Sequence, residues 1–273
     1  MGDAERGAVW AHLGSCGACH TAENGPPYAG GHAIVTDQGT FYGPNITPDP
    51  VHGIGTWSYE DFVRAMTLGR APEGHTYWPA FPYPAYARLR PAELADLWAY
   101  LRTLPASDRP SEQHAVRIPR WPAAGTWRRR FFEPGAFVDD PTQSPDWNRG
   151  AYLGLGIGHC GECHTPRNRL GALVSTKEHW GAPGPPASAP DITPGARGLA
   201  GWELGDLSSF LEDGMTPEGD VVGGEMARIV EHGTARLPAA DRHALAVWLL
   251  SVVPSPGPAT PNDDDDDDDD EWE

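Results

Sequence analysis

Apolar residues recur at helical spacing along several stretches of the chain, and the stretches come in pairs. PAELADLWAYLRTL (residues 91–104) sets Leu94, Leu97, Trp98 and Leu101 on one face, with Pro91 leading and Glu93 in the first turn, as a helix N-terminus prefers. AADRHALAVWLLSV (239–252) repeats the arrangement with Leu245, Trp248 and Leu249. Shorter helices are predicted over 5–13 and 149–155, each running into a cysteine pair. Two more are predicted over 58–68, with Ser58 as cap and Glu60 behind it, and over 203–213. Between them lie proline- and glycine-rich loops without sustained period-2 alternation. The predicted class is all-α, in two small helical domains.

The pairing is a repeat. CGACH at 16–20 answers CGECH at 160–164 at an offset of 144. At an offset of 145, Trp57 falls on Trp202, Asp61 on Asp206, Gly69 on Gly214, and the run Pro72, Glu73, Gly74 on Pro217, Glu218, Gly219. NITPD (45–49) answers DITPG (191–195), and RGAVW (6–10) answers RGAYL (149–153). The chain reads as a tandem duplication. Its predicted parts are a first domain over 1–105, a proline-rich linker over 106–146, a second domain over 147–254 and a tail over 255–273.

Composition refines this picture. The 273 residues include 33 Gly and 29 Pro, which predicts short elements and much ordered loop. One such loop is YWPAFPYPAY (77–86), whose prolines forbid a helix interior or a central strand. The formal charge is −18, of which the final DDDDDDDDEWE carries ten negative charges, so the expected tail is self-repelling and solubilising. An acidic balance speaks against nucleic acid as a partner and for a protein partner with a basic docking face. No apolar run approaches a membrane span, and Met1, Gly2, Asp3 and Glu5 do not begin a signal peptide. Within the linker, WRRRFF (127–132) reads as arginines packing across a domain boundary, with a docking patch as the alternative.

Four cysteines are too few for a disulfide framework. A zinc site needs four ligands and a thiol redox pair needs only CxxC, so neither explains a histidine directly after the second cysteine in both halves. Haem attachment does: cysteines at i and i+3 on one helical turn each add to a porphyrin vinyl group, and the next residue turns its imidazole to the iron. This predicts two covalently attached haem c groups. Cys16, Cys19, Cys160 and Cys163 are the thioether donors, and His20 and His164 the proximal ligands. Such attachment belongs to the outer side of the bacterial cytoplasmic membrane, so the expected location is the periplasm, with any leader already removed.

An electron-transfer haem also needs a distal ligand, commonly methionine. The repeat favours Met226, in a glycine-rich stretch read as loop before the last helix, over Met215. Counting back 145 residues from Met226 gives Phe81, so the first haem has phenylalanine where the second has sulfur. The alternatives for the first iron are His75, Met66 or no protein ligand. His32 and His52 have weaker claims as loop histidines.

From GSCGACHT through NITPD, GIGTWS, DFVRAM and PAFPY, then WNRGAYLGLGIGHCGECHTPRN to GDVVGGEMARIV, the chain resembles the cytochrome c subunits of membrane-associated bacterial alcohol and gluconate dehydrogenases. The resemblance implies a class I cytochrome c fold in each domain and His/Met ligation of each haem. The family's first-domain loop reads PAMPY, which maps the ligand onto Phe81. The resemblance also implies that Asn45, Ile46 and Thr47, with Asp191, Ile192 and Thr193, lie near the haem propionates. Members often carry a third haem domain and an anchoring tail, where this chain ends in aspartates. Two functions follow: a carrier relaying single electrons between a dehydrogenase or quinol-linked donor and a terminal acceptor, or a haem enzyme acting at the methionine-less first haem.

Overall fold

A computed structural model describes residues 2–117, 120–182 and 189–256; the acidic run of the expected tail lies outside them. The first half contains helices α1 (Ala4–Leu13), α2 (Cys16–His20), α3 (Tyr59–Leu68), α4 (Tyr83–Tyr86) and α5 (Pro91–Leu101). Then come α6 (Arg120–Phe131) and the second-half helices α7 (Pro145–Leu155), α8 (Gly161–His164), α9 (Leu204–Asp213), α10 (Gly224–His232) and α11 (Ala239–Leu249). Strands β1 (Ala33–Thr36), β2 (Gly39–Tyr42) and β3 (Ala115–Val116) form an antiparallel sheet in the order β1-β2-β3.

That sheet overturns the all-α expectation, because the fold is mixed α/β. The hairpin turns at Asp37 and Gln38, pairing Thr36 with Gly39 and Ala33 with Tyr42. Each strand is only four residues long, too short for alternation to stand out from loop. The third strand comes from the predicted linker, pairing Ala115 with Thr40 across 75 positions that no local pattern reports. The linker is therefore built into the fold. Its helix α6 binds both halves: Arg128 Nε donates to the Leu68 carbonyl at 2.8 Å, and Trp127 Nε1 to the Leu170 carbonyl at 3.0 Å. Phe132 packs edge-on to the buried Tyr83 at 5.0 Å. The basic-aromatic hexapeptide thus packs across the boundary.

The six predicted stretches form helices α1, α3, α5, α7, α9 and α11, with α7 beginning at Pro145 rather than at 149, while α4, α6 and α10 lie outside the predicted stretches. Ser58 and Asp61 make a reciprocal capping box at the start of α3, and Glu203 and Asp206 do the same for α9. In each half the first helix crosses the last at very short range. A Cβ on Gly7 would stand 2.0 Å from the Asp96 carbonyl oxygen of α5. One on Gly150 would stand 2.0 Å from the Ala244 carbonyl oxygen of α11. Only glycine permits that approach. An arginine beside each glycine locks the crossing, Arg6 to Asp96 at 2.8 Å and Arg149 to Asp241 at 2.8 Å.

Asp96 is buried, which by itself opposes its charge, yet the Arg6 guanidinium and the Asp3 N–H outweigh that and hold its carboxyl below the ordinary value. Because the folded pKa is depressed, this stabilisation is present above the unfolded carboxylate range and is lost as pH falls through the folded pKa. Asp96→Asn should therefore cost about 1–2 kcal/mol at neutral pH, a modest figure because Arg6 is largely solvated. The difference from wild type should shrink below about pH 4, as urea unfolding at pH 7 and pH 3 would show.

One apolar core runs through both halves, joining Trp10, Leu13, Leu94 and Leu97 to Tyr152, Leu153, Ile157, Leu245 and Trp248. At its centre the halves meet reciprocally. Gly14 packs on Ile157 and Gly158 packs on Leu13, each glycine one residue beyond the other's partner. His159 Nε2 lies 3.2 Å from the Gly14 carbonyl oxygen, and the His159 ring packs edge-on to Tyr86 at 5.6 Å. The residues that lead into the two cysteine motifs thus press against one another.

Candidate haem sites

Each CxxCH motif occupies about one helical turn, on α2 and α8, entered through a residue in the left-handed region: Ser15 at φ 47° and His159 at φ 37°. No disulfide joins the four cysteines. Burial pushes the thiols of Cys16 and Cys160 up to about 12. A thiol redox pair or a thiolate metal site calls for the opposite shift. Among the described residues, no group of three or more His, Cys, Asp or Glu side chains is gathered to hold a metal ion.

The histidines supply the sharper test of fit. His20 Nδ1 lies 2.7 Å from the Pro44 carbonyl oxygen, and His164 Nδ1 lies 2.7 Å from the Pro190 carbonyl oxygen. A carbonyl only accepts, so Nδ1 carries the proton and Nε2 presents its lone pair, the tautomer an iron ligand requires. Burial lowers the pKa of both imidazoles and keeps them neutral. The loop carrying Pro44 reaches the histidine because Gly43 lies directly on α2, where a Cβ would stand 1.7 Å from the Cys19 carbonyl oxygen.

Just beyond these prolines lie the residues assigned to the propionate edge. Thr47 donates from both its N–H (2.9 Å) and its hydroxyl (2.7 Å) to Asn45 Oδ1. Thr193 does the same to Asp191 Oδ1 at 2.8 and 2.7 Å. Each threonine hydroxyl then anchors the chain leaving its half, accepting from Ser107 N at 3.1 Å and Ser255 N at 3.0 Å. Asn45 Nδ2 donates to the Ser107 and Arg109 carbonyls at 2.8 and 2.9 Å, so its amide fastens the linker. Asp191 Oδ2, by contrast, is buried without a hydrogen-bond partner among the described residues. Ile46 and Ile192 are half-buried between these anchors.

On the other side, the two halves keep register through the turn that leads to the assigned distal residues. Ala71 N donates to the His75 carbonyl at 3.0 Å, and Thr216 N to the Asp220 carbonyl at 2.8 Å. Tyr77 N donates to the Gly69 carbonyl and Val222 N to the Gly214 carbonyl, both at 2.9 Å. Four residues beyond Tyr77 and Val222 stand Phe81 and Met226. Met226 lies in the first turn of α10 rather than in a loop, and is half-buried. Likewise YWPAFPYPAY closes with the helical turn α4, with Pro84 near its start where a missing N–H does no harm. Met215 is half exposed and Met66 is buried in the core on α3. His32 and His52 sit in loops, partly buried.

One matched pair escapes any reading by motif. Tyr28 and His179 both have positive φ (60° and 65°). Each donates from its backbone N–H to the hydroxyl of the threonine after the haem-motif histidine, Thr21 or Thr165, at 3.0 Å. Each also packs edge-on to a ring of the last helix of its half, Tyr28 on Tyr100 at 6.1 Å and His179 on Trp248 at 5.2 Å. They stand eight residues after His20 but fifteen after His164, so no constant spacing marks them.

The model of the Cytochrome c family matches residues 4–105. A protein of Cereibacter sphaeroides described as "Diheme cytochrome c-type" is 42% identical over 262 residues, covering 92% of this chain and 86% of that protein.

The chain belongs to the dihaem c-type cytochromes.

This dihaem cytochrome carries covalently bound haem c and serves in electron transfer. It is also 38% identical to the cytochrome c subunit of a quinone-dependent alcohol dehydrogenase of Gluconacetobacter polyoxogenes, covering 92% of this chain and 56% of that subunit. The cytochrome c subunit of gluconate 2-dehydrogenase of Pantoea cypripedii is 37% identical, covering 91% of this chain and 59% of that subunit. The chain thus spans little more than half the length of these two dehydrogenase subunits. Among the described residues, no helix is long and apolar enough to cross a membrane.

Proposed function

We propose that this cytochrome is a periplasmic relay that passes single electrons through two haems, from a dehydrogenase or quinol-linked donor to a terminal acceptor. Haem c, when bound, cycles between ferric and ferrous iron and so carries one electron at a time. Cys16, Cys19 and His20 hold the first haem within a unit over 1–105, and Cys160, Cys163 and His164 hold the second within a unit over 147–254. The two units derive from a tandem duplication. Met226 supplies the distal sulfur of the second haem. Donor and acceptor are redox proteins with basic docking faces, drawn by the net charge of −18.

The observation that carries the relay is the reciprocal seam. Leu13 and Gly14 pack against Ile157 and Gly158 immediately before the cysteine motifs, so the two attachment helices start from one contact. Cys19 and Cys163 lie near enough for a charge on Cys163 to raise the Cys19 pKa, second only to burial. Cys16 of the first motif packs against the apolar core shared by the two halves, and the protein's part is orientation and insulation. A reductive titration of the purified holoprotein, followed by absorbance and electron spin resonance, should show uptake of two electrons per chain at two distinguishable centres. Uptake of a single electron would sink the relay.

A further inference from the structure

The turns that lead to the assigned distal residues share their backbone hydrogen bonds in the two halves, and at the distal residue itself the halves part. Phe81 has no lone pair. Its ring meets those of Tyr77 and Tyr86 edge-on, each at 5.6 Å, and that of Tyr83 at 6.5 Å, so the distal position of the first half is filled by interlocked aromatics. Tyr86 is buried in the apolar core against which both Phe81 and Cys16 of α2 pack, which sets this aromatic group in the same core as the first motif.

Two other donors stand in the same half, and the fold gives each a different task. His75 belongs to a closed turn: its carbonyl accepts from Ala71 N at 3.0 Å, and Arg70 and Thr76 pair on either side of it. Its imidazole packs edge-on to Tyr77 at 5.3 Å, with Nδ1 3.8 Å from Glu73. The equivalent residue of the second half is the exposed Asp220, in the same turn with the same backbone bond, so the position takes a polar turn residue in both halves. Met66 occupies an inward position on α3 at 6% exposure, and its counterpart on α9 is Leu211 at 5%. A position that takes leucine in one half and methionine in the other is a packing position.

We propose that the first haem has no protein ligand on its distal side and is a binding site for a small neutral diatomic molecule, carbon monoxide or nitric oxide, admitted by displacement of the Phe81 ring. The inference rests on the reading of His20 as the proximal ligand of that haem. Neutral ligands are favoured because the rings of Phe81, Tyr77 and Tyr86 offer an anion no compensation for its lost hydration. Binding to ferrous iron adds one ligand, with no bond broken and no electron transferred. The accessibility and polarity of a distal pocket separate ligand binding from pure electron transfer.

The test uses the full-length holoprotein, reduced without oxygen and titrated with carbon monoxide under absorbance, with haem content counted by mass spectrometry. Uptake of one carbon monoxide per chain, with half of the haem absorbance shifting, is expected, together with a high-spin ferric resonance from one of the two haems. Phe81→Met should abolish the uptake and the high-spin signal while both haems stay attached. A two-haem wild-type protein that takes up no carbon monoxide overturns the inference, as does a Phe81→Met protein that still binds one per chain. A wild-type mass showing a single haem overturns instead the assignment of the first site, on which the inference stands.

Discussion

A chain in which Cys160 and Cys163 are both replaced by alanine is expected to mature with one covalent haem instead of two, and to be strongly destabilised in its second half. On the proposed assignment both thioethers of that site come from these residues, and the chain's other two cysteines, Cys16 and Cys19, belong to the first motif. The effect on folding follows from linkage, because a group that binds only the native state contributes its binding free energy to stability. At this site His164 is buried with its Nδ1 held by the Pro190 carbonyl, which leaves the Nε2 lone pair for iron, and loss of haem removes that partner. Mass spectrometry should show one haem lost, and the absorbance per chain should fall by half. A protein that still carries two covalent haems would refute the assignment.

Met226→Ala is expected to act on potential rather than on haem content. Thioether ligation raises the potential of a haem, so removing the sulfur should lower the second haem by roughly a tenth or more of the about 0.8 V span that axial ligands control. It should also open a second distal face, doubling carbon monoxide uptake by the reduced protein from one to two per chain. The helical setting of Met226 makes the substitution a clean probe. Alanine suits the first turn of α10, and the residue is only half-buried, so loss of packing adds little. Phe81→Met is the reciprocal change, raising the first haem's potential as it closes the site. An unchanged potential after Met226→Ala would assign the second distal ligand elsewhere, with Met215 the next donor to replace.

How far these sites can be read from sequence depends on whether each feature is local. The capping box at Ser58, the helix faces around Leu97 and Leu245 and the two CxxCH turns all arise from contacts within a few residues, so periodicity and spacing report them. The hairpin at residues 33–42 is local too, yet its four-residue strands are too short to stand out, and the expected all-α class is wrong. Strand β3 and helix α6 read as linker because what holds them, Thr40, Leu68, Leu170 and Tyr83, lies far away in the chain. Met226 reads as loop because Gly223 and Gly224 depress helix propensity just before it. Gly224, at φ 62°, is instead the first residue of the helix.

The amino-acid sequence alone determined the chemistry of this protein: two cysteine pairs each followed by histidine, a repeat that aligns Phe81 with Met226, and a strongly acidic balance. These follow from residue identity and short spacing, which survive any arrangement of the rest of the chain. Tertiary structure alone decided the tautomer of each histidine, through the Pro44 and Pro190 carbonyls 24 and 26 positions away, and the pairing of Tyr28 with His179 across loops of unequal length. It also decided the seam that sets Leu13 and Gly14 against Ile157 and Gly158. The reason is that hydrogen bonds and glycine contacts act between atoms brought together in space, and separation along the chain does not encode that proximity.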